Sequence, residues 1–447
     1  MSDDIASRLF KAGMDDAQAD RIAERFDALR APLHSLGVDA GSAVRAYWVP
    51  GRIEFLGKHT DYAGGRSLLC AVERGICLLA APRRNGRVRI HDARSRETAS
   101  FRIQPDLVPE IGHWSNYPMT VARRLARNFP GALLGADLVF DSDLPPAAGM
   151  SSSSALITAV FLALTEINDF SARVEYRRNV RTTEDLAEYL GAVESGRGFR
   201  ALDGDAGVGT QGGCEDHTAL LCSRPGALVQ YAFGPVRFER VIELPDDHHF
   251  VIAVSGVHAE KTGAARDAYN RASRATADIL ERWRRSTGRH DATLAAAVAS
   301  APEAADHLRA IIRGNDGELP ASALLGRLEQ FLTESDVRVP AAGDALVCGN
   351  LSALGAIVDG SQEGAERLLG NQTPETIALA HTARELGAVA ASAFGAGFGG
   401  SVWALVRSEH ASEFRARWAA RYCVDFPAAA SQAQFFETRA GPAVTRL

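Results

Sequence analysis

The sequence predicts an α+β protein of two domains. Strand-like and helix-like segments mix without the regular βαβ rhythm of a doubly wound sheet. At 447 residues the chain also exceeds what one hydrophobic core usually holds. No repeat array or low-complexity linker interrupts it. The change of domain is expected near residues 235–250, giving an N-terminal domain over 1–240 and a C-terminal domain over 241–447.

From the N-terminus, apolar residues at helical spacing (Ile5, Leu9, Phe10, then Ile22, Phe26, Leu29) predict helices over 4–35, broken at Gly13. From Ala43 to Val108 short β-type runs follow, and Asn85-Gly86 reads as a hairpin turn between two of them. Residues 114–130 read as a helix, and ADLVFDSDLP as a strand entering a Gly/Ser-rich loop. ALITAVFLALTEIN reads as a strongly apolar helix, and 184–195 as another. ALLCS, LVQYAF and HHFVIAVS read as strands, and two Ala-rich stretches, 259–315 and 321–357, as helices. Glu375–Leu386 is a further helix, and VAASAF and SVWALV flank a glycine loop as extended segments.

Composition narrows the function. Hydrophobic residues make up 46% and charged residues 23%, an ordinary soluble-globular mixture. A net charge of −6 gives no footprint for nucleic acid. Charges interrupt every apolar run short of a membrane span. The start, MSDDIASRLFKAG, is acidic before it is apolar, unlike a secretory signal. The six cysteines form no CxxC pair, so reduced thiols in a cytoplasmic enzyme are expected.

Three loops carry candidate chemistry. The first, Pro50–Gly65, gathers Arg52, Lys58, His59 and Asp61 between glycines. A solvated charged loop is the competing reading. It is no Walker A motif, because five residues separate Gly51 from Gly57 and His59 follows Lys58. The second, Leu144–Ala155, runs through Pro146, Ala147, Ala148, Gly149, Met150, Ser151, Ser152, Ser153 and Ser154 into the apolar helix. Backbone N–H groups at such a helix start can cradle an anion, and serine hydroxyls there can bind Mg²⁺; a serine-rich helix cap is the alternative. The third, Gly395–Gly400, matches GxGxxG, but a strand follows it where a dinucleotide turn needs a helix. It can approach phosphates or let two backbone segments pack closely.

In this order, the three loops resemble the signature motifs of the GHMP kinase superfamily. Gly51-Arg52, Gly57-x-His59-Thr60-Asp61-Tyr62 and Gly64-Gly65 are similar to the galactokinase signature. Trp114-x-Asn116-Tyr117 resembles a galactokinase segment near the adenine pocket, and Gly209–His217 the segment that carries the family's catalytic aspartate. The stretch beginning Tyr269-Asn270 is similar to one that follows in the family. The resemblance implies a ribosomal-S5-like N-terminal domain, a ferredoxin-like C-terminal domain and ATP between them. It implies phosphorylation of a monosaccharide at the anomeric hydroxyl, galactose to galactose 1-phosphate.

Roles carried over from the family place Asp216 as the catalytic aspartate and Arg52 as its cationic partner. Lys58, His59, Asp61, Gly213 and Tyr269 would bind the sugar. Trp114, Pro146–Ser154 and Gly397 would bind ATP, and Ser152 and Glu194 would hold Mg²⁺. The expected partners are a small sugar and Mg-ATP, with no nucleic acid or membrane, in a monomer or weak homodimer. Two departures stand out. Arg197–Val208 looks like an insertion, either a lid or an inert loop, with the inert loop the favoured reading. Lys58 replaces a glutamate that the family uses near the sugar's C6 hydroxyl. A galacturonate kinase, another sugar 1-kinase in which Lys58 points away, or a catalytically weak sugar sensor are the alternatives.

Overall fold

The computed structural model describes residues 2–39, 41–131, 133–257, 263–314 and 319–447. Its strands form two sheets. The first contains β1 (Arg45–Leu56), β2 (Arg66–Arg83), β3 (Arg87–Asp92), β4 (Thr98–Arg102), β5 (Gly135–Ser142), β6 (Ala227–Ala232) and β7 (Arg237–Glu243). The second contains β8 (His248–Val254), β9 (Ala390–Phe394), β10 (Ser401–Arg407) and β11 (Gln434–Thr438), antiparallel in the order β11-β8-β10-β9. The chain thus changes sheet between Glu243 and His248. Its last residues return to the first sheet, where β12 (Ala440–Gly441) pairs with β2 and β13 (Thr445–Arg446) with β1.

Three local expectations are corrected. Asn85-Gly86 does not close a hairpin, because β5 lies between β2 and β3, antiparallel to one and parallel to the other. Asp137 on β5 ties the three together, accepting from Arg83 on β2 at 2.9 Å and from Arg89 on β3 at 2.6 Å. ALLCS is not a strand but the end of the helix Glu215–Cys222, since a short apolar run does not reveal its own period. Residues 50–56 belong to β1, so the first motif is half strand and becomes a loop at Gly57.

Packing brings the motifs together. The helix Ser152–Ile167 is apolar on nearly all sides and lies buried against β1 and β2. The helix Glu215–Cys222 packs on the helix Thr183–Ser195 and on the same two strands. Phe55 of β1 stacks on Trp403 of β10 with ring centroids 4.2 Å apart, joining the two sheets behind the site. The segment Arg197–Val208 is fixed to this frame: Asp205, its side chain fully buried, takes Arg123 at 2.7 Å and Arg124 at 3.6 Å. No helix among the described residues is long and apolar enough to cross a membrane.

Candidate active site

A cavity of about 180 Å³ opens where β1, the serine loop and the glycine loop meet. The serine loop owes its shape to alternating left-handed residues, Ala147 (φ 50°), Gly149 (φ 72°) and Ser151 (φ 61°). Such alternation turns successive N–H groups toward one side, a nest for anions at the start of a buried helix. Ser151 Oγ is buried with no hydrogen-bond partner, and Ser152 and Ser153 line the cavity. The glycine loop supports this turn from behind. A Cβ on Gly395 would lie 2.8 Å from the Gly149 carbonyl oxygen, so backbone meets backbone there. Ser401 Oγ donates to the Ala148 carbonyl at 2.6 Å.

Beside the loop, Arg52 and Asp216 form a two-nitrogen ion pair, Nε at 2.9 Å and Nη2 at 2.7 Å from Asp216 Oδ1. Arg52 Nη1 donates to the Gly149 carbonyl, which locks the guanidinium to the serine loop. Burial opposes the arginine's charge, but Asp216, Glu215 and Glu54 outweigh it and raise its pKa. Both residues line the cavity, the aspartate side chain 25% exposed and the arginine 5%. Ser154 Oγ lies between two acids, 2.8 Å from Glu194 Oε2 and 3.2 Å from Asp216 Oδ2. His217 Nε2 lies 2.9 Å from Glu194 Oε2.

The opposite wall carries the polar groups of the first motif. His59 sits at φ 59°, with Nε2 3.1 Å from the Ala396 carbonyl and Nδ1 2.9 Å from the Tyr62 hydroxyl. A ring donating through Nε2 and accepting at Nδ1 satisfies both contacts. Burial and the Arg327 cation press its pKa down to about 4, so it is neutral. Asp61 Oδ1 accepts from the Tyr62 N–H at 2.8 Å and Oδ2 from the Glu215 N–H at 3.1 Å, and burial raises its pKa. Gly213 passes so close that a Cβ would fall 1.9 Å from Asp61 Oδ2.

Several expected residues stand elsewhere. Lys58 is 1% exposed and does not line the cavity; its Nζ donates to Ser361 Oγ at 3.0 Å and Ser392 Oγ at 2.7 Å. Ser361 in turn donates to Glu334 Oε1 at 2.8 Å, so the lysine is tied into the C-terminal half. Gly397 presses on Asn371, where a Cβ would meet the carbonyl oxygen at 2.3 Å, and Gly395 and Ala396 face the cavity in its place. Trp114 donates from Nε1 to Glu97 Oε2 at 2.6 Å and leaves the wall to Tyr117. Met150 is buried, with its carbonyl accepting from the Arg52 N–H at 3.4 Å, and Pro146 is exposed. The side chain of Tyr269 lies outside the described residues.

Sequence reasoning missed two acids in the wall, Glu54 and Glu215. A signal for Glu54 exists: it lies two residues from Arg52 on a strand, and strand side chains alternate faces. Burial pushes its carboxyl up to about 7 against the opposing Arg52 and Lys58 charges. Glu215, whose pKa burial raises well above the usual range, accepts from Ser67 Oγ at 2.8 Å.

Family profiles match three stretches: the GHMP kinases N terminal domain at 116–201, the GHMP kinases C terminal domain at 342–424, and the galactokinase galactose-binding signature at 39–82. The chain belongs to the GHMP kinase superfamily. Within that superfamily it is a galactokinase-like sugar kinase. It is 27% identical to the galactokinase of Chloroflexus aurantiacus, over 84% of this chain and 87% of that protein. A galactokinase of a Roseiflexus species is 28% identical over 85% and 87%. The fold is similar to that of Lactococcus lactis galactokinase complexed with galactose, with a TM-score of 0.78, 22% identity, and coverage of 94% of this chain and 99% of that one. The mevalonate kinase of L. major, solved in complex with R-mevalonate, is a more distant likeness at TM-score 0.55 and 14% identity, covering 89% of this chain and 96% of that one.

Proposed function

We propose that this chain transfers the γ-phosphoryl group of ATP to the anomeric hydroxyl of galactose, giving galactose 1-phosphate and ADP. The observation that carries the reading is the Arg52–Asp216 pair held against the serine loop. It sets a proton acceptor and a fixed cation beside a nest suited to phosphates. Asp216 takes, or orients, the proton of the attacking hydroxyl. Arg52 orients that carboxylate through two bonds and offsets charge on the alkoxide and on the moving phosphoryl group. The relatives' printed activity and the galactose-binding signature support galactose as the acceptor.

Ser152 and Glu194 both face the cavity and offer a hydroxyl and a carboxylate, donors that suit a hard cation. In this reading they hold Mg²⁺, which supplies charge neutralisation to the phosphates. The free cysteines suit the reducing cytoplasm.

Galacturonate as substrate draws its support from a lysine facing the sugar, and the Lys58 ammonium is engaged by Ser361 and Ser392 instead. ADP release measured by a coupled assay over hexoses, pentoses, uronic acids and N-acetylhexosamines tests the proposal. Galactose should give the highest kcat/KM, and a preference for a uronic acid would reject it.

A further inference from the structure

Glu54 is 3% exposed, yet it lines the cavity beside Arg52. Its Oε2 accepts from the Gly395 N–H at 2.9 Å, while its Oε1 has no hydrogen-bond partner. The other polar groups of this wall are engaged within the protein. Asp61 uses both oxygens on backbone N–H groups, and both His59 ring nitrogens have partners. Glu215 accepts from Ser67. A buried carboxyl oxygen left without a donor is costly, so the arrangement calls for a donor from the ligand.

Resting on the reading of the cavity as a sugar kinase site, we propose that Glu54 is a specificity-determining residue whose Oε1 accepts a hydrogen bond from one hydroxyl of a neutral sugar. A hydroxyl brings the missing proton. A uronate carboxylate brings only acceptors, and a charge like that of an ionised Glu54, into a wall already rich in carboxyl groups. Glu54 therefore selects for neutral sugars and against acidic ones. The Gly395 N–H fixes the carboxyl from behind, so its second oxygen is held in place before the sugar arrives.

The test compares the full chain with Glu54→Gln and Glu54→Ala, using galactose, galactose analogues each lacking one hydroxyl, and galacturonate. In the unsubstituted enzyme one deoxy analogue should lose about 10- to 100-fold in kcat/KM relative to galactose, the worth of a hydrogen bond to a charged group. In Glu54→Ala that penalty should shrink to about threefold or less, with the penalties for the other hydroxyls unchanged. Galacturonate should gain on galactose by about tenfold or more in Glu54→Gln, because the like charge is gone. Each penalty is a ratio within one enzyme, so a variant that folds in part still reports, and the near-isosteric Glu54→Gln serves if Glu54→Ala does not fold. Unchanged penalties in an enzyme that uses galactose overturn the role of Glu54 and leave the proposed function standing. An unsubstituted enzyme that prefers galacturonate, or that uses no neutral sugar, overturns both.

Discussion

Arg52 and Asp216 are 164 residues apart in sequence, yet two arginine nitrogens converge on one aspartate oxygen at 2.7 and 2.9 Å. Strand β1 supplies the arginine and the first turn of the helix Glu215–Cys222 supplies the aspartate. Because Arg52 also donates to the Gly149 carbonyl, the ion pair is tied to the serine loop. Replacing Asp216 with Asn keeps the size of the side chain and removes its capacity to take a proton. Turnover should fall by about 10²–10⁴-fold with nucleotide affinity kept, as read by steady-state kinetics and calorimetric titration of ATP.

Gly213→Ala should damage sugar binding rather than ATP binding. The new methyl carbon would fall 1.9 Å from Asp61 Oδ2, so the carboxylate must leave its two backbone donors. The expected outcome is a rise of about tenfold or more in sugar KM with ATP KM near its original value, since misplacing a positioning group is costly.

Lys58 should matter to stability more than to sugar choice. Lys58→Glu would bury a carboxylate next to Ser361, which already donates to Glu334, and should cost about 3–5 kcal/mol in urea denaturation. Lys58→Met removes the buried charge, and Ser361 and Ser392 keep Glu334 and Gln362 as partners; it should cost less than about 2 kcal/mol. In Lys58→Met the ratio of kcat/KM for galactose to that for galacturonate should stay within about threefold of the original. A lysine that touched the sugar would shift that ratio far more.

The motifs were legible because they depend on backbone. Glycines and small serines mark places where the chain must turn left-handed or pass close to another segment, and Gly149, Ser151 and Gly395 meet that need. The direction of Lys58 was not legible, because Ser361 and Ser392 lie more than 300 residues away and neither belongs to a motif. The chain likewise gives no local sign that β5 inserts between β2 and β3; Asp137 reveals it through arginines on both neighbours. Glu54 escaped notice because residues 50–56 read as loop, and a loop has no alternation to follow.

His59 should make stability depend on pH. Its pKa falls from the ordinary 6.5 to about 4 in the fold, so between those values the unfolded chain binds more protons. The contribution is therefore complete above pH 6.5 and is lost as pH falls toward 4. Urea denaturation of the unsubstituted protein and of His59→Asn, a residue that tolerates the left-handed backbone, isolates it. The stability difference should shrink by on the order of 2–3 kcal/mol between pH 7 and pH 4.5.

Phosphorylation of a neutral sugar at its anomeric hydroxyl is the activity on which the reading of this cavity rests. Phosphorus NMR of a reaction containing galactose, Mg-ATP and the purified chain tests it most directly, because it identifies the bond formed. Galactose 1-phosphate and ADP should appear in equal amounts, both lost in Asp216→Asn. Phosphate on another hydroxyl, ADP formed without a sugar phosphate, or product from galacturonate but not galactose would contradict it.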